Sequence, residues 1–225
     1  MKYTYNRHII KSMTGPIVIT RPDNDFDDLP DIVRLFQTGM PLLHLRKPGM
    51  SRTEAVRFLK ALPDIYHPKI VLHGHYDLAD DYHLKGIHLP ERIRESSKED
   101  IEILPGRYQD KGFSVSTSFH SLETLRSYGD HLFDYAFLGP VFDSISKAGY
   151  KGRRFDISGE NISFPVIALG GITPGNISGV LKTGFSGAAV LGYIWNAKDP
   201  AKAFSSFPET VLDIINIKNV KSVKP

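Results

Sequence analysis

Apolar residues recur in short runs about every 17 to 30 residues, separated by polar or glycine-containing stretches, the spacing expected of repeated strand–helix units. Runs of this length predict strands at Ile17–Thr20, Pro41–Arg46, Lys69–His73, Gly86–Leu89, Phe113–Ser116, Tyr135–Leu138, Pro165–Leu169 and Gly187–Leu191. Between many of them the period changes to that of a helix. Ser51 and Glu54 have the spacing of a capping box, and Ala55, Phe58, Leu59 and Leu62 then recur on one helical face. Ser121–Arg126 is a shorter stretch of the same kind. Eight strands with intervening helices in 225 residues predict an α/β fold, a single (β/α)8 TIM barrel, with an open doubly wound sheet as the alternative. The segment from Leu138 to Pro165 is long, polar and glycine-containing, so the sixth helix is expected to be short or absent. Long loops in compact domains are usually functional or disordered, and residues 143–154 are read as a lid over the site. The barrel is assigned to residues 15–210, with 1–14 as an N-terminal extension and 211–225 as a basic tail.

Composition narrows the chemistry. A chain that is 41% hydrophobic and 24% charged is that of a soluble globular protein. Its lack of cysteine excludes disulfides, a thiolate nucleophile and zinc–thiolate sites. No apolar run reaches the ~20 residues of a membrane span, and the segment after Met1 lacks the apolar core of a secretion signal. A cytoplasmic location with no membrane partner is the expectation. The formal net charge of +3 suits small anionic ligands, and no dense basic stripe marks a nucleic-acid surface. These patterns carry no reading of the oligomeric state.

The strongest local signal is Pro165–Ile172, an apolar run ending in Gly170 and Gly171, followed by a second glycine-ended strand at Gly187–Gly192. Glycines at a strand end let peptide N–H groups approach an anion closely, and the loops after strands 7 and 8 are the usual phosphate cradle of such barrels. Tight packing is the other explanation of a Gly-Gly pair. In the second strand His44 and Arg46 share a face, and an arginine at a strand end can clamp a phosphate or carboxylate. The alternative is a rim arginine paired with a surface acid. His73 and His75 share a face of the third strand, and His88 points inward on the fourth. Imidazoles on consecutive strands invite a metal reading, but no carboxylate joins them, and ordinary hydrogen-bonded histidines are the expectation. Ser144, Ser146 and Lys147 in the loop after strand 6 are either an anion site or solvated side chains.

Together these motifs resemble the thiamine phosphate synthase/TenI family of thiamine-biosynthesis barrels over most of residues 15–195. The marks are Asp134–Phe142 with Ser144–Lys147, Pro165–Ile172, His44-Leu-Arg46, Asp77-Leu-Ala79, Gly86–Leu89 and Gly187–Leu191. The resemblance implies a thiazole phosphate resting on backbone near Gly170, Gly171, Leu191 and Gly192. It also implies that Arg46, Ser114, Ser144, Ser146 and Lys147 match positions holding a second substrate, a pyrimidine pyrophosphate.

The departures are chemical. Synthases of the family carry an Asn-Asp pair after strand 3 and an Asp after strand 4 for Mg²⁺, where this chain has His73-Gly74 and Pro90-Glu91-Arg92. The strand-2 lysine of the family is lost or shifted by one, to Lys47. Glu91 is a possible substitute ligand at the second position and Gly74 is none at the first, and without hard oxygen ligands the leaving pyrophosphate would lack its usual cation. The other branch, the thiazole tautomerases, moves a proton and needs no metal, so its implied cofactor is none, against Mg²⁺ for the synthase. Its histidine lies in a Ser-Val-His-Ser-Leu-Glu-like segment, which here reads Ser114–Glu123 with four further residues before His120. His120 either reaches the substrate or sits on the surface before the fifth helix. A metal-independent tautomerase with His120 and Lys147 as catalytic groups is the expectation. A divergent synthase and a non-catalytic binding protein are the alternatives.

Overall fold

A computed structural model describes residues 15–208 apart from 96–97, 129–131, 144, 146–148 and 150. The assigned extension 1–14 and tail 211–225 lie outside the described residues. Strands β1 (Ile17–Ile19), β2 (Leu43–Leu45), β3 (Ile70–Leu72), β4 (Gly86–Leu89), β5 (Ser114–Phe119), β6 (Tyr135–Leu138), β7 (Val166–Leu169) and β8 (Gly187–Val190) pair in sequence order. All pairs are parallel, and β8 returns to β1 through Val190 against Val18, closing the barrel. The open sheet is thereby excluded.

Helices α1 (Leu29–Gln37), α2 (Arg52–Ala61), α3 (Leu78–Asp81), α4 (Glu91–Arg94), α5 (Lys98–Gln109) and α6 (Leu122–Arg126) alternate with the first six strands. Helices α7 (Ile177–Lys182), α8 (Gly192–Trp195) and α9 (Pro200–Ser205) follow β7 and β8. No helix lies between β6 and β7 among the described residues, as the polar composition there predicts. The Ser51–Glu54 capping box forms on α2, and Ala55, Phe58 and Leu59 are buried. None of the helices described is long and apolar enough to cross a membrane.

Alternation along the strands divides the core in two. Outward residues such as Val18, Leu43, Leu45, Ile70, Leu72, Ile87, Val115 and Ala136 pack with the helices. Inward residues form a smaller apolar cluster of Ile17, Ile19, Leu42, Val71, Tyr135, Phe137, Ile167 and Ala189. The rest of the interior is polar: His44, His88, Ser114 and Ser116 are buried there. Those residues come from β2, β4 and β5, so one side of the barrel interior is polar and the side toward β7, β8 and β1 is apolar.

Strand β5 departs most from the sequence reading. It extends three residues beyond the predicted end, because Ser116, Thr117, Ser118 and Phe119 continue in register with Tyr135, Ala136, Phe137 and Leu138. A run of serine and threonine carries no apolar signal, yet Thr117 and Ser116 are fully buried. Their hydroxyls find acceptors on β4, Ser116 Oγ at His88 Nδ1 on the inner face and Thr117 Oγ1 donating to the Leu89 carbonyl at 2.6 Å on the outer face.

At the opposite end of the barrel, Gly86 starts β4 facing β5. A Cβ there would lie 1.9 Å from the Ser114 carbonyl oxygen. Gly86→Ala is therefore expected to destabilise the fold by about 3 kcal/mol, the upper part of the usual overpacking cost. Urea denaturation of the two proteins measures it, and an unchanged midpoint would contradict the close strand contact.

Candidate functional site

The C-terminal strand ends form the mouth of the barrel, where the loops bring side chains from several strands together. Arg46 follows β2 and is half-buried. Its backbone N–H donates to Thr20 Oγ1 at 2.9 Å, and that hydroxyl donates back to the Arg46 carbonyl. Among the described residues no carboxylate pairs with the Arg46 guanidinium, so the surface ion pair considered above is absent. Lys47 behaves in the opposite way. Its side chain is fully buried in the outer layer, with Nζ 2.9 Å from Asp28 and donating to the Asp23 carbonyl. Burial raises the Asp28 pKa, and the Lys47 contact opposes that shift. One step of strand alternation thus removes the lysine from the mouth and leaves the arginine.

Below Arg46 lie three imidazoles on consecutive strands, with a nitrogen of each within 4.8 Å of the others. His44 Nδ1 is 2.9 Å from His73 Nε2, and His44 Nε2 is 2.7 Å from the Tyr135 hydroxyl. His88 is held at both nitrogens, by Ser116 and Ser118 hydroxyls at 2.9 Å each. The His73 and His88 rings stack at 4.1 Å, and His88 lies against Phe137. Burial is the main cause holding all three below the ordinary histidine value, and repulsion among their charged forms lowers His44 and His73 further. Burial brings His88 down to about 3, with the Arg46 charge as the second cause. These rings are neutral at physiological pH. His75 does not join them: its backbone turns at φ 52° and its Nε2 is 2.7 Å from the Met50 carbonyl oxygen.

His120 follows directly on β5. The longer strand accounts for the residues that precede it, so no insertion separates it from the barrel. Its Nδ1 lies 3.0 Å from the Gly139 carbonyl oxygen, after β6. Its Nε2 lies 3.5 Å from Glu91 Oε2, at the start of α4. With a side chain 48% exposed, the ring sits on the rim between the loops after β4 and β6. An imidazole hydrogen-bonded to a carbonyl and faced by a carboxylate has the parts of an acid/base group.

Gly170 and Gly171 end β7 beside the end of β8, with φ of 101° and 65°. A Cβ on Gly170 would lie 2.7 Å from Pro140, and one on Gly171 would lie 2.5 Å from the Asp143 carbonyl oxygen. Tight packing therefore explains the pair by itself, and the anion cradle stays an expectation at the same strand ends. Leu191 and Gly192 follow β8, where the first-turn N–H groups of α8 lack intrahelical acceptors. The Trp195 indole donates to the Ile19 carbonyl at 2.6 Å and fixes this turn to β1. Because Gly171 carries a positive φ and faces backbone, a bulky residue there would strain the fold as well as the cradle.

Ser114 is misplaced by the sequence reading. It begins β5, at the end of the barrel opposite the mouth, buried with its hydroxyl on the Lys85 carbonyl. Ser118, four residues on, occupies the mouth side instead. Tyr135 and Ser116 were also not singled out, and Glu91 was weighed only as a Mg²⁺ ligand; the serine alternation 114, 116, 118 is the signal that a longer β5 would have exposed. Ser144, Ser146 and Lys147 lie outside the described residues. The base of their loop is pinned, with Gly152 N–H and Lys151 Nζ donating to Asp143 at 2.9 and 3.0 Å.

Mg²⁺, implied by the synthase resemblance, does not fit the donors at the two positions concerned. Gly74 has no side chain, although a Cβ there would meet nothing within 4 Å. Glu91 is engaged by Arg94 at 3.0 Å and faces His120. The nearest cluster of donors is nitrogen, whereas Mg²⁺ takes oxygen.

The neutral histidines set an acid limit on stability. Their folded pKa values lie below the unfolded value, so the unfolded chain binds more protons as pH falls below about 6.5. The stabilisation is complete above that pH and is lost on acidification, by about 1 kcal/mol per pH unit for each buried ring. Urea unfolding at pH 7 and pH 5 should show the loss, and His88→Gln should flatten the slope. A pH-independent midpoint over that range would contradict buried neutral rings.

Comparison with known proteins places this geometry. The sequence model of the family described as thiamine monophosphate synthase (TMP-TENI) matches residues 17–194. The thiamine-phosphate synthase of Phocaeicola vulgatus is 28% identical over 157 residues, 65% of this chain and 72% of that protein. That of Latilactobacillus sakei is 27% identical over 187 residues, 78% of this chain and 81% of its own. The crystal structure of thiamine phosphate pyrophosphorylase from Bacteroides thetaiotaomicron has a TM-score of 0.67 at 30% identity, covering 85% of this chain and 94% of that one. A 3-hexulose-6-phosphate synthase from Salmonella typhimurium, at 14% identity and TM-score 0.66 over 85% of this chain and 95% of its own, shares the fold alone. These relatives carry synthase or pyrophosphorylase names and lend no support to the tautomerase expected from the sequence. With its barrel, its glycine-ended strands and nearly all of its described length matched, the chain belongs to the thiamine monophosphate synthase family.

Proposed function

We propose that the chain is an enzyme that binds a phosphorylated thiazole at the mouth of the barrel and moves a proton on it without Mg²⁺. The observation that carries this reading is the donor set. The mouth offers a guanidinium at Arg46 that has no carboxylate partner among the described residues and an imidazole–carboxylate pair at His120 and Glu91, with Gly74 at one of the two positions where the resemblance expects Mg²⁺ ligands and Glu91, already held by Arg94, at the other. The phosphate rests against the peptide N–H groups around Gly170, Gly171, Leu191 and Gly192. Arg46 holds a second anionic group, a carboxylate, in bidentate fashion. His120 then works as acid/base: with Nδ1–H donated to the Gly139 carbonyl, Nε2 is the nitrogen that takes a proton from the ring, and Glu91, which faces that nitrogen, stabilises the imidazolium. Returning that proton to another position of the ring completes a tautomerisation. Lys147 contributes charge to anion binding. His44 and His73 line the floor beneath the ligand.

The second reading is a thiamine phosphate synthase, which joins thiazole phosphate to pyrimidine pyrophosphate and releases pyrophosphate. The names of the relatives favour it. In that reading Arg46, Ser144, Ser146 and Lys147 face the pyrophosphate, and His120 has a lesser role. In both readings the chain acts in the cytoplasm on small phosphorylated molecules.

One set of assays separates the two. Purified protein is given thiazole carboxylate phosphate alone, and thiazole phosphate with pyrimidine pyrophosphate, each with EDTA or with Mg²⁺. The proton-transfer reading expects turnover of the first substrate in EDTA and a loss of roughly 10² or more in His120→Ala. Pyrophosphate release that stops on chelation and survives His120→Ala would establish the synthase instead. Arg46→Ala should weaken anion binding about tenfold or more in calorimetry with the thiazole ligand, the scale of one charge-assisted contact. Unchanged affinity would remove Arg46 from the site.

A further inference from the structure

The hydroxyl of Tyr135 is a buried donor with one place to give its proton. Tyr135 is 2% exposed, and its hydrogen-bond partner among the described residues is His44 Nε2, at 2.7 Å. The Ser116 hydroxyl, opposite Tyr135 in the sheet, is taken up on β4 by His88 Nδ1 at 2.9 Å and the Ile87 carbonyl at 3.4 Å. Were His44 to donate from Nε2 instead, the phenolic hydrogen would be buried without an acceptor, which native interiors avoid. The phenol therefore donates and His44 Nε2 accepts.

A neutral imidazole carries one N–H and one bare nitrogen. With Nε2 bare, His44 has its proton on Nδ1, which lies 2.9 Å from His73 Nε2. His44 donates there, His73 Nε2 accepts, and the proton of His73 is left on Nδ1. That last nitrogen has no partner among the described residues and is not enclosed, so it is open at the mouth. The ring plane is held as well. His73 stacks on His88 with centroids 4.1 Å apart, and Ser116 and Ser118 fix His88 at both nitrogens.

We propose that Tyr135 is a positioning residue that, through His44, fixes His73 as a neutral Nδ1–H donor beside Arg46, so that this edge of the mouth takes a ligand group that only accepts hydrogen bonds. The two donors are neighbours by register. His44 pairs with Val71 and Leu45 with Leu72, which sets Arg46 and His73 side by side where β2 and β3 end. The His73 backbone N–H donates to the Leu45 carbonyl at 3.1 Å and continues that pairing. A guanidinium has N–H groups and no acceptor, and His73 in this tautomer offers the mouth an N–H alone. A carboxylate oxygen satisfies both, whereas an amine would set N–H against N–H. The donor persists at working pH. Burial lowers the pKa of His44 and His73, so both rings stay neutral, and raises that of Tyr135, so the phenol keeps its proton. That the group is the carboxylate of a thiazole carboxylate phosphate rests on the proton-transfer reading above; the direction of the hydrogen bonds does not.

The test uses the full-length protein with ¹⁵N-labelled histidine and long-range ¹H–¹⁵N correlation spectra at pH 7. His44 and His73 should both show the Nδ1–H tautomer with Nε2 bare. An Nε2–H tautomer at His73 would overturn the proposal, and this readout needs no variant to fold. Tyr135→Phe removes the donor and keeps the ring. It should lower the Nδ1–H to Nε2–H ratio of His73, a ring to which Tyr135 is not hydrogen-bonded, by about two- to tenfold, the worth of one hydrogen bond. An unchanged ratio would remove Tyr135 from the role. Calorimetry then reads the ligand group: Tyr135→Phe should weaken binding of thiazole carboxylate phosphate by about the same factor and leave thiazole phosphate, which lacks the carboxylate, unaffected. Equal weakening of both would overturn the carboxylate assignment. If neither ligand binds a wild-type protein that shows the expected tautomers, the proposed function fails while the donor at His73 stands.

Discussion

The constraint that organises this structure is the satisfaction of polar groups inside a closed barrel. Once β8 pairs with β1, residues such as His44, Ser116 and Tyr135 have almost no access to water, and an unpartnered polar atom there costs of order 1–3 kcal/mol. Each of these side chains is accordingly tied to a side chain from another strand. Burial keeps the imidazoles neutral, and the ties fix their orientation. They also make the floor of the mouth rigid, so that the groups above it, Arg46 and His120, work against a fixed base.

Charge is sorted by the same geometry. Arg46 and Lys47 are adjacent in sequence but point to opposite layers. Lys47 is consumed by Asp28 in a buried ion pair, whose two partners stabilise each other only as a pair. Arg46 has no such partner among the described residues, and its field reaches the histidines beneath it. The mouth is therefore positive at β2, and Glu91 is the carboxylate that faces His120.

Membership in the thiamine monophosphate synthase family and the chemistry of this mouth pull in different directions. The relatives are synthases, yet Gly74 stands where a carboxylate is expected, at a position with space for one. Neither packing nor backbone conformation demands glycine there, so the missing carboxylate is a property of the site and not of the fold. His120 and its carboxylate neighbour remain as the best-placed groups for proton transfer at the rim.

Local pattern in the sequence determined the barrel, because strands and helices announce themselves through periods of two and 3.6 residues. The capping box at Ser51 and Glu54, the inward face of His44 and His88, the missing sixth helix and the glycine ends of β7 and β8 were all legible for that reason. Pairing across strands was not. The length of β5 depends on β6 lying beside Ser118 and Phe119, and without it Ser114 was assigned to the mouth that Ser118 occupies. The partners of each imidazole, the loss of Lys47 to Asp28 and the contact between His120 and Glu91 join residues 19 to 91 positions apart. Their proximity is a consequence of barrel closure and shear, which set the height at which each strand meets its neighbour. Sequence could say which residues faced inward; only the closed sheet decided which of them would touch.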